Sequence, residues 1–270
     1  MASILPQFDN SEYAVGWIAA LPHERAAAEV ILDQEHAPPQ HKHINDDNIY
    51  TLGSISGPNG VHNLYNCGKA TAHGFEERGA LNSPPRVLLN AMGALQAKHE
   101  KGGSTIPVIL EAMYKDYPLM AKPRQGPGYN YQGTNCDRLF QPQYEHAATK
   151  KDCSDCDSEN EVVRPERPDQ DPYIHYGTIA SGNQVIKDAR KRDQMSKNCL
   201  CFETEAAGLL NDFPCLVIRG ICDYCDTHKN DQWQKYAAAT AAAYTKELLQ
   251  ITDAADIKST PEVREVIHKC

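Results

Sequence analysis

Short apolar runs that alternate with helix-period stretches constrain this chain more than any other feature. Tyr13–Ala20 (YAVGWIAA), His175–Ser181 (HYGTIAS), Cys199–Phe202 (CLCF) and Cys215–Ile221 (CLVIRGI) have the length and apolar character of buried strands. Helix patterns follow them. Pro22 suits the first turn of a helix reaching Asp33, with Ala26, Ala27, Val30, Ile31 and Leu32 on its apolar face. Gln184–Ser196 and Glu205–Asn211 read as shorter helices, and Trp233–Ile251 as a long alanine-rich one. This alternation predicts an α/β fold, with a mixed, mainly parallel sheet flanked by helices on both faces.

The remaining stretches fit around that frame. Asn48–Ile55 alternates like a strand, and the turn sequence Ser56–Gly60 (SGPNG) leads into Val61–Tyr65, which predicts a hairpin. Ser83 and Pro84 open a helix carrying Leu88, Met92 and Leu95 on one face, and Ile106–Lys115 reads as a further short helix. Tyr117–Pro172, rich in Pro, Gly, Asp and Gln, reads as a long surface excursion. One domain over 13–251 is expected, with tails at 1–12 and 252–270.

Composition narrows the function classes. There are 27 basic and 36 acidic residues, for a net charge of −9, which disfavours a nucleic-acid partner. No stretch approaches the length of a membrane span, and the N-terminus lacks the pattern of a signal peptide. A cytoplasmic protein is expected, with the nucleus left open, and the ten cysteines are expected as reduced thiols. Cys153 and Cys156 have the spacing of half a zinc site. A second pair, Cys222 and Cys225, could complete it, but the separation of the two pairs matches no compact zinc module, so no metal is expected.

Four acids stand where strand-like runs break: Glu24, Glu203, Glu205 and Asp223. Ligands bind at the carboxyl ends of strands in open α/β sheets, so these acids can converge although they are distant in sequence. Converging carboxylates suit a cationic transition state, such as the oxocarbenium character that develops when a bond to an anomeric carbon breaks. Each also has a plain structural reading. Glu24 would favour a helix N-terminus, Glu203 and Glu205 would be ordinary strand-end and helix-start acids, and Asp223 would cap a loop. Spacing alone leaves both readings open.

WIAALPHE from Trp17, IHYGTIASGNQV from Ile174, CFETEAAG from Cys201 and VIRGICDYCD from Val217, in that order, resemble the purine and uridine phosphorylase superfamily, especially its fungal nucleoside-phosphorylase-like members. The resemblance covers most of 13–251. It implies cleavage of the N-glycosidic bond of a purine nucleoside, with no cofactor beyond phosphate as a co-substrate. Glu205 would bind the ribose hydroxyls, and Asp223, with a raised pKa, would donate a proton toward the purine N7. Glu24 would activate water, and Ser181, Gly182 and Asn183 would shape the base pocket. Phe202, Glu203 and Thr204 belong to the same motif as Glu205 and complete the expected substrate-binding set. The partner expected is a purine nucleoside, with a homo-oligomer compatible.

The chain departs from that family in one large way. Val61–Asn63 runs almost directly into Tyr65–Lys69, where family members carry a glycine-rich segment with central strands and an anion-binding nest. Water is therefore a better nucleophile than phosphate, and the sheet is expected to lack central strands. Thr204 also replaces the family's methionine, a smaller loss of apolar contact to the sugar. The fungal relatives of this type resemble N-terminal modules of multidomain receptor-like proteins, so the alternative is a non-catalytic nucleoside-sensing or interaction module. A third reading is an incomplete gene product.

Overall fold

The computed structural model describes residues 5–39, 50–57, the backbone of 60–67, and residues 83–147, 152–182, 184–196, 199–206 and 215–260. The first unit is β1 (Val15–Ile18) followed by α1 (Pro22–Val30). Pro22 opens the helix as its spacing predicts, and the Glu24 carboxylate accepts hydrogen bonds from Ala20 N (2.9 Å) and Leu21 N (3.0 Å). β2 (Gln34–His36) is too short and polar to show a period, and it is held as an edge strand against β3 (Tyr50–Gly57). β3 turns into β4 (Gly60–Cys67) as the expected antiparallel hairpin. β4 also pairs with β1 in parallel, which gives the sheet order β1-β4-β3-β2.

Helices α2 (Arg86–Gly102), α3 (Ile106–Asp116) and the single-turn α4 (Pro118–Ala121) come next. A second sheet holds only β5 (Ile179–Ser181) and β6 (Cys201–Glu203), paired in parallel with α5 (Ala189–Met195) between them. The chain is thus α/β, with parallel pairs in both sheets, and among the described residues no ladder joins the two sheets. No helix among the described residues is long and apolar enough to cross a membrane.

The helical layer packs on α6 (Gln234–Ile251), which touches α1, α2, α3 and β3. Its alanines make this close approach practical: Ala237, Ala239, Ala242 and Ala243 are all buried. The same helix carries the most deeply buried acid among the described residues. Glu247 is fully buried and accepts from Thr105 N (2.8 Å), Thr105 Oγ1 (2.9 Å) and Ser104 Oγ (2.9 Å), while His99 Nε2 lies 3.0 Å away. One carboxylate therefore meets the positive N-terminal end of α3 and the last turn of α2. Burial alone would raise its pKa, but the Thr105 N–H, the two hydroxyls and the His99 charge outweigh it and hold the group below its ordinary 4.5.

Three expectations need correction. Cys215–Ile221 reads as a strand but pairs with no neighbour among the described residues; it runs extended against α6 instead. The reason is steric as well as topological, because a Cβ on Gly220 would stand 2.0 Å from the Ala237 carbonyl oxygen, so backbone presses on backbone. The stretch after α6 is not a bare tail: Asp253 caps α7 (Ala254–Ser259), whose Ile257 is buried in the core. At the other end, residues 5–12 are tied down by the Ala37 N to Pro6 O bond (2.8 Å) and by Phe8 against the His36 ring (4.6 Å). The Glu205–Asn211 helix expected from the sequence falls largely outside the described residues.

Each of these positions has an expected outcome. Glu247→Leu removes the acceptor of three buried donors and should cost about 3 kcal/mol in urea unfolding. In the wild type, the stability Glu247 adds is fully present above pH 4.5, the unfolded value, and is lost as pH falls toward the lower folded value. Gly220→Ala should destabilise by roughly 1–3 kcal/mol through the backbone clash. Gly93→Ala, on an open side of α2, should instead stabilise by about 1 kcal/mol.

Candidate functional site

The parallel pair β5–β6 sets Ser181 opposite Glu203, and Gly182 N donates to Glu203 O (3.0 Å), extending the ladder past the strand ends. Side chains alternate across a strand. Ile179 and Cys201, the first residues of the two strands, line a cavity of ≈ 590 Å³; Ser181 and Glu203 lie on the same sheet face two residues on but are not among its lining residues. Phe202 and Ala180 belong to the opposite face.

Glu203 is buried, and one oxygen, Oε2, accepts from Glu205 N (2.8 Å) and Ala206 N (2.7 Å), which turns the chain sharply after β6. Its other oxygen, Oε1, is buried with no hydrogen-bond partner among the described residues. A buried acceptor left in that state is costly. Glu205 is exposed, and its carboxylate folds onto Thr204, taking the backbone N–H (3.2 Å) and the side-chain hydroxyl. Asn183 lies outside the described residues.

The opposite wall of the cavity is the extended segment after Cys215, ending at Asp223. Asp223 is partly buried and bonds Lys229 Nζ (2.5 Å), Cys225 N (2.9 Å) and Cys222 Sγ (3.4 Å). Cys225 closes this turn at φ = 54°, in the left-handed region that a non-glycine residue seldom occupies. Burial raises the Asp223 pKa, but the Lys229 hydrogen bond and charge and the Cys225 N–H overcome it, so the carboxyl is held below its ordinary value. The raised pKa expected of a proton donor is therefore not the state the protein holds by itself. Lys229 is shifted up by the same pair, whereas Cys222 and Cys225 are pushed up by burial to about 12 and about 11 and remain thiols.

Glu24 does not line this cavity. It follows β1, in the other sheet, and its carboxylate is spent on the start of α1, the plain structural reading of that residue. The structure thus puts Asp223 in the cavity wall, sets Ser181, Glu203 and Glu205 at the carboxyl ends of β5 and β6 without lining that cavity, and leaves Glu24 elsewhere. The sequence reading missed two features. Lys229 is an unremarkable loop lysine until its partner is known, and Tyr131, Trp233 and Tyr236 form an edge-on aromatic cluster at the cavity, with ring centroids 5.2–5.9 Å apart. Tyr131 belongs to the excursion, so no local pattern could have paired it with α6.

Comparison with known proteins gives partial matches. No family model matches the chain, and no solved structure matches it. A nucleotide-binding leucine-rich repeat (NLR)-like protein of Hyaloscypha variabilis is 33% identical over 309 aligned positions, covering 91% of this chain and 30% of the relative. An ATP nucleosidase, Cap17, of Escherichia coli is 35% identical over 86 residues, 28% of this chain and 17% of that protein. The chain therefore spans less than a third of the length of either relative. The 309-position alignment exceeds the 270 residues present here, so the first relative has positions without a counterpart in this chain. The chain is accordingly similar in part to a nucleosidase and, over most of its length, to a portion of a much larger NLR-like protein.

Proposed function

We propose that the chain is a purine-nucleoside recognition module that cleaves the N-glycosidic bond by hydrolysis. The observation that carries this reading is the cavity lined by the first residues of β5 and β6, with partly buried Asp223 and the rings of Tyr131, Trp233 and Tyr236 among its lining residues. Its size suits a nucleoside. The partial likeness to an ATP nucleosidase supports the reaction class and extends the substrate class to purine nucleotides.

In the proposed reaction the purine enters against Asp223, and Glu205 turns from Thr204 to the ribose hydroxyls. The bond from the anomeric carbon to the purine nitrogen breaks, its electron pair leaves with the base, and the proton Asp223 gives to N7 keeps that base neutral. Water adds to the anomeric carbon and loses a proton, so the products are the free sugar and the purine. Asp223 must first be protonated, and burial favours this once Lys229 is displaced from the carboxylate. In this reading Glu203, whose buried Oε1 has no hydrogen-bond partner among the described residues, stabilises developing positive charge, because the Glu24 carboxylate is spent on the start of α1.

A second reading, binding without turnover, is favoured by one observation: with Lys229 in place, Asp223 is an anion. That suits a sensing portion of an NLR-like protein.

Chromatography of reactions with adenosine, methylthioadenosine and ATP should reveal adenine without added phosphate, and Asp223→Asn should abolish it. Because the acid works only while protonated, Lys229→Met should raise the Asp223 pKa and move the alkaline limb of the rate profile to higher pH. Saturable nucleoside binding by calorimetry with no base release would establish the second reading instead. Neither binding nor release would overturn both.

A further inference from the structure

The excursion between α4 and β5 contains a site that the nucleoside reading leaves unused. His146, Cys153 and Cys156 converge so that one donor atom from each lies within 4.8 Å of the others. These are the soft and borderline donors that select zinc, and none is a carboxylate. His146 Nε2 lies 2.9 Å from the Asp152 carbonyl oxygen. Donation of Nε2–H to that carbonyl leaves Nδ1 as the nitrogen with a lone pair. Metal-binding histidines are typically oriented by such a carbonyl contact.

A second, independent observation points to the same place. His228 is 6% exposed, and among the described residues neither of its ring nitrogens has a hydrogen-bond partner. Its ring stands 5.3 Å from that of His146, is stacked on Phe140 at 4.1 Å, and its carbonyl oxygen is 3.9 Å from Cys153 Sγ. The Asp226 carboxylate lies 3.8 Å from His228 Nδ1, on the side where a carboxylate orients a metal-bound imidazole. Two buried ring nitrogens without partners are an unusual expense for a fold unless one of them serves a ligand.

The surrounding chain holds this turn in shape. Arg138 donates to the Cys153 and Cys156 carbonyl oxygens and pairs with Glu161, so the Cys-x2-Cys turn is gripped from its backbone. Phe140, 1% exposed, lies beneath it. Yet among its described residues the stretch from 122 to 178 has only 3-10 turns and an isolated bridge as regular structure. A long segment this poor in ladders needs another source of order, and a metal clip closing it onto the loop after Asp223 supplies one.

We propose that His146, Cys153, Cys156 and His228 bind one structural zinc ion, which fastens the excursion to the Asp223–Lys229 loop. The set replaces the pairing considered from the sequence: Cys222 and Cys225 turn toward Asp223, and histidines complete the site. Four protein ligands leave no open coordination position, so the ion's role is to hold the loop and not to activate water.

The full chain, purified without added chelator or metal-affinity tag, should contain one zinc per molecule by elemental analysis. Replacing zinc with cobalt should give thiolate-to-cobalt charge transfer and the visible absorption of a tetrahedral centre. Cys153→Ser with Cys156→Ser should lose the metal, His228→Ala should bind it markedly more weakly, and Cys222→Ser with Cys225→Ser should retain it fully. Chelation should lower the melting temperature of the wild type but not of the Cys153/Cys156 double variant. If that variant fails to fold, the wild-type zinc content and cobalt spectrum still decide. A metal-free wild type that takes up no cobalt, or one whose Cys153 and Cys156 form a disulfide, would overturn the proposal. Full zinc occupancy in His228→Ala with an unchanged cobalt spectrum would overturn the fourth ligand.

Discussion

The buried Glu247 carboxylate is the contact on which the helical layer depends. It joins the N-terminal end of α3 and the last turn of α2 to the body of α6. A charge in such a place survives only because every lone pair that could be satisfied is met by a donor. The consequence is a rigid block behind the cavity. Tyr244, one turn before Glu247, is among the cavity-lining residues, so the interaction that orders the helices also fixes part of the cavity wall.

The cavity itself follows from where the sheets stop. β1-β4-β3-β2 and the β5–β6 pair are not joined by a ladder among the described residues, and the extended segment after Cys215 lies against α6 where a further strand would be expected. Gly220 makes that arrangement sterically accessible. The starts of β5 and β6 line the open space left there, with Asp223 held in its wall by Lys229. Lys229 stands next to His228 in sequence, and the His228 ring lies 5.3 Å from that of His146.

Local pattern carried much of this fold. The alanine-rich period over Trp233–Ile251, Pro22 at the head of α1 and the SGPNG turn of the hairpin each encode their element within a few residues, and the structure has all three. What escaped was non-local. Cys215–Ile221 has the composition of a strand, but a strand also needs neighbours, and no window of sequence contains them. Likewise α7 is too brief for a periodic signal and depends on Ile257 finding the core. In the candidate site, Asp223 was legible from its motif, whereas its protonation state was not, because Lys229 decides it. His146 and His228 are far apart in the chain, so the cysteine spacing suggested half a site and concealed which residues complete it.

The central claim is that a purine nucleoside occupies the cavity walled by Asp223, Trp233 and Tyr236. The chain has two tryptophans, and only Trp233 lines that cavity. Fluorescence of a Trp17→Phe variant titrated with adenosine therefore reports on the cavity directly, independent of any turnover. The account expects a saturable change in Trp233 emission that disappears when Asp223→Ala is added. An emission that stays flat to the solubility limit of adenosine, in protein that melts cooperatively, would contradict it.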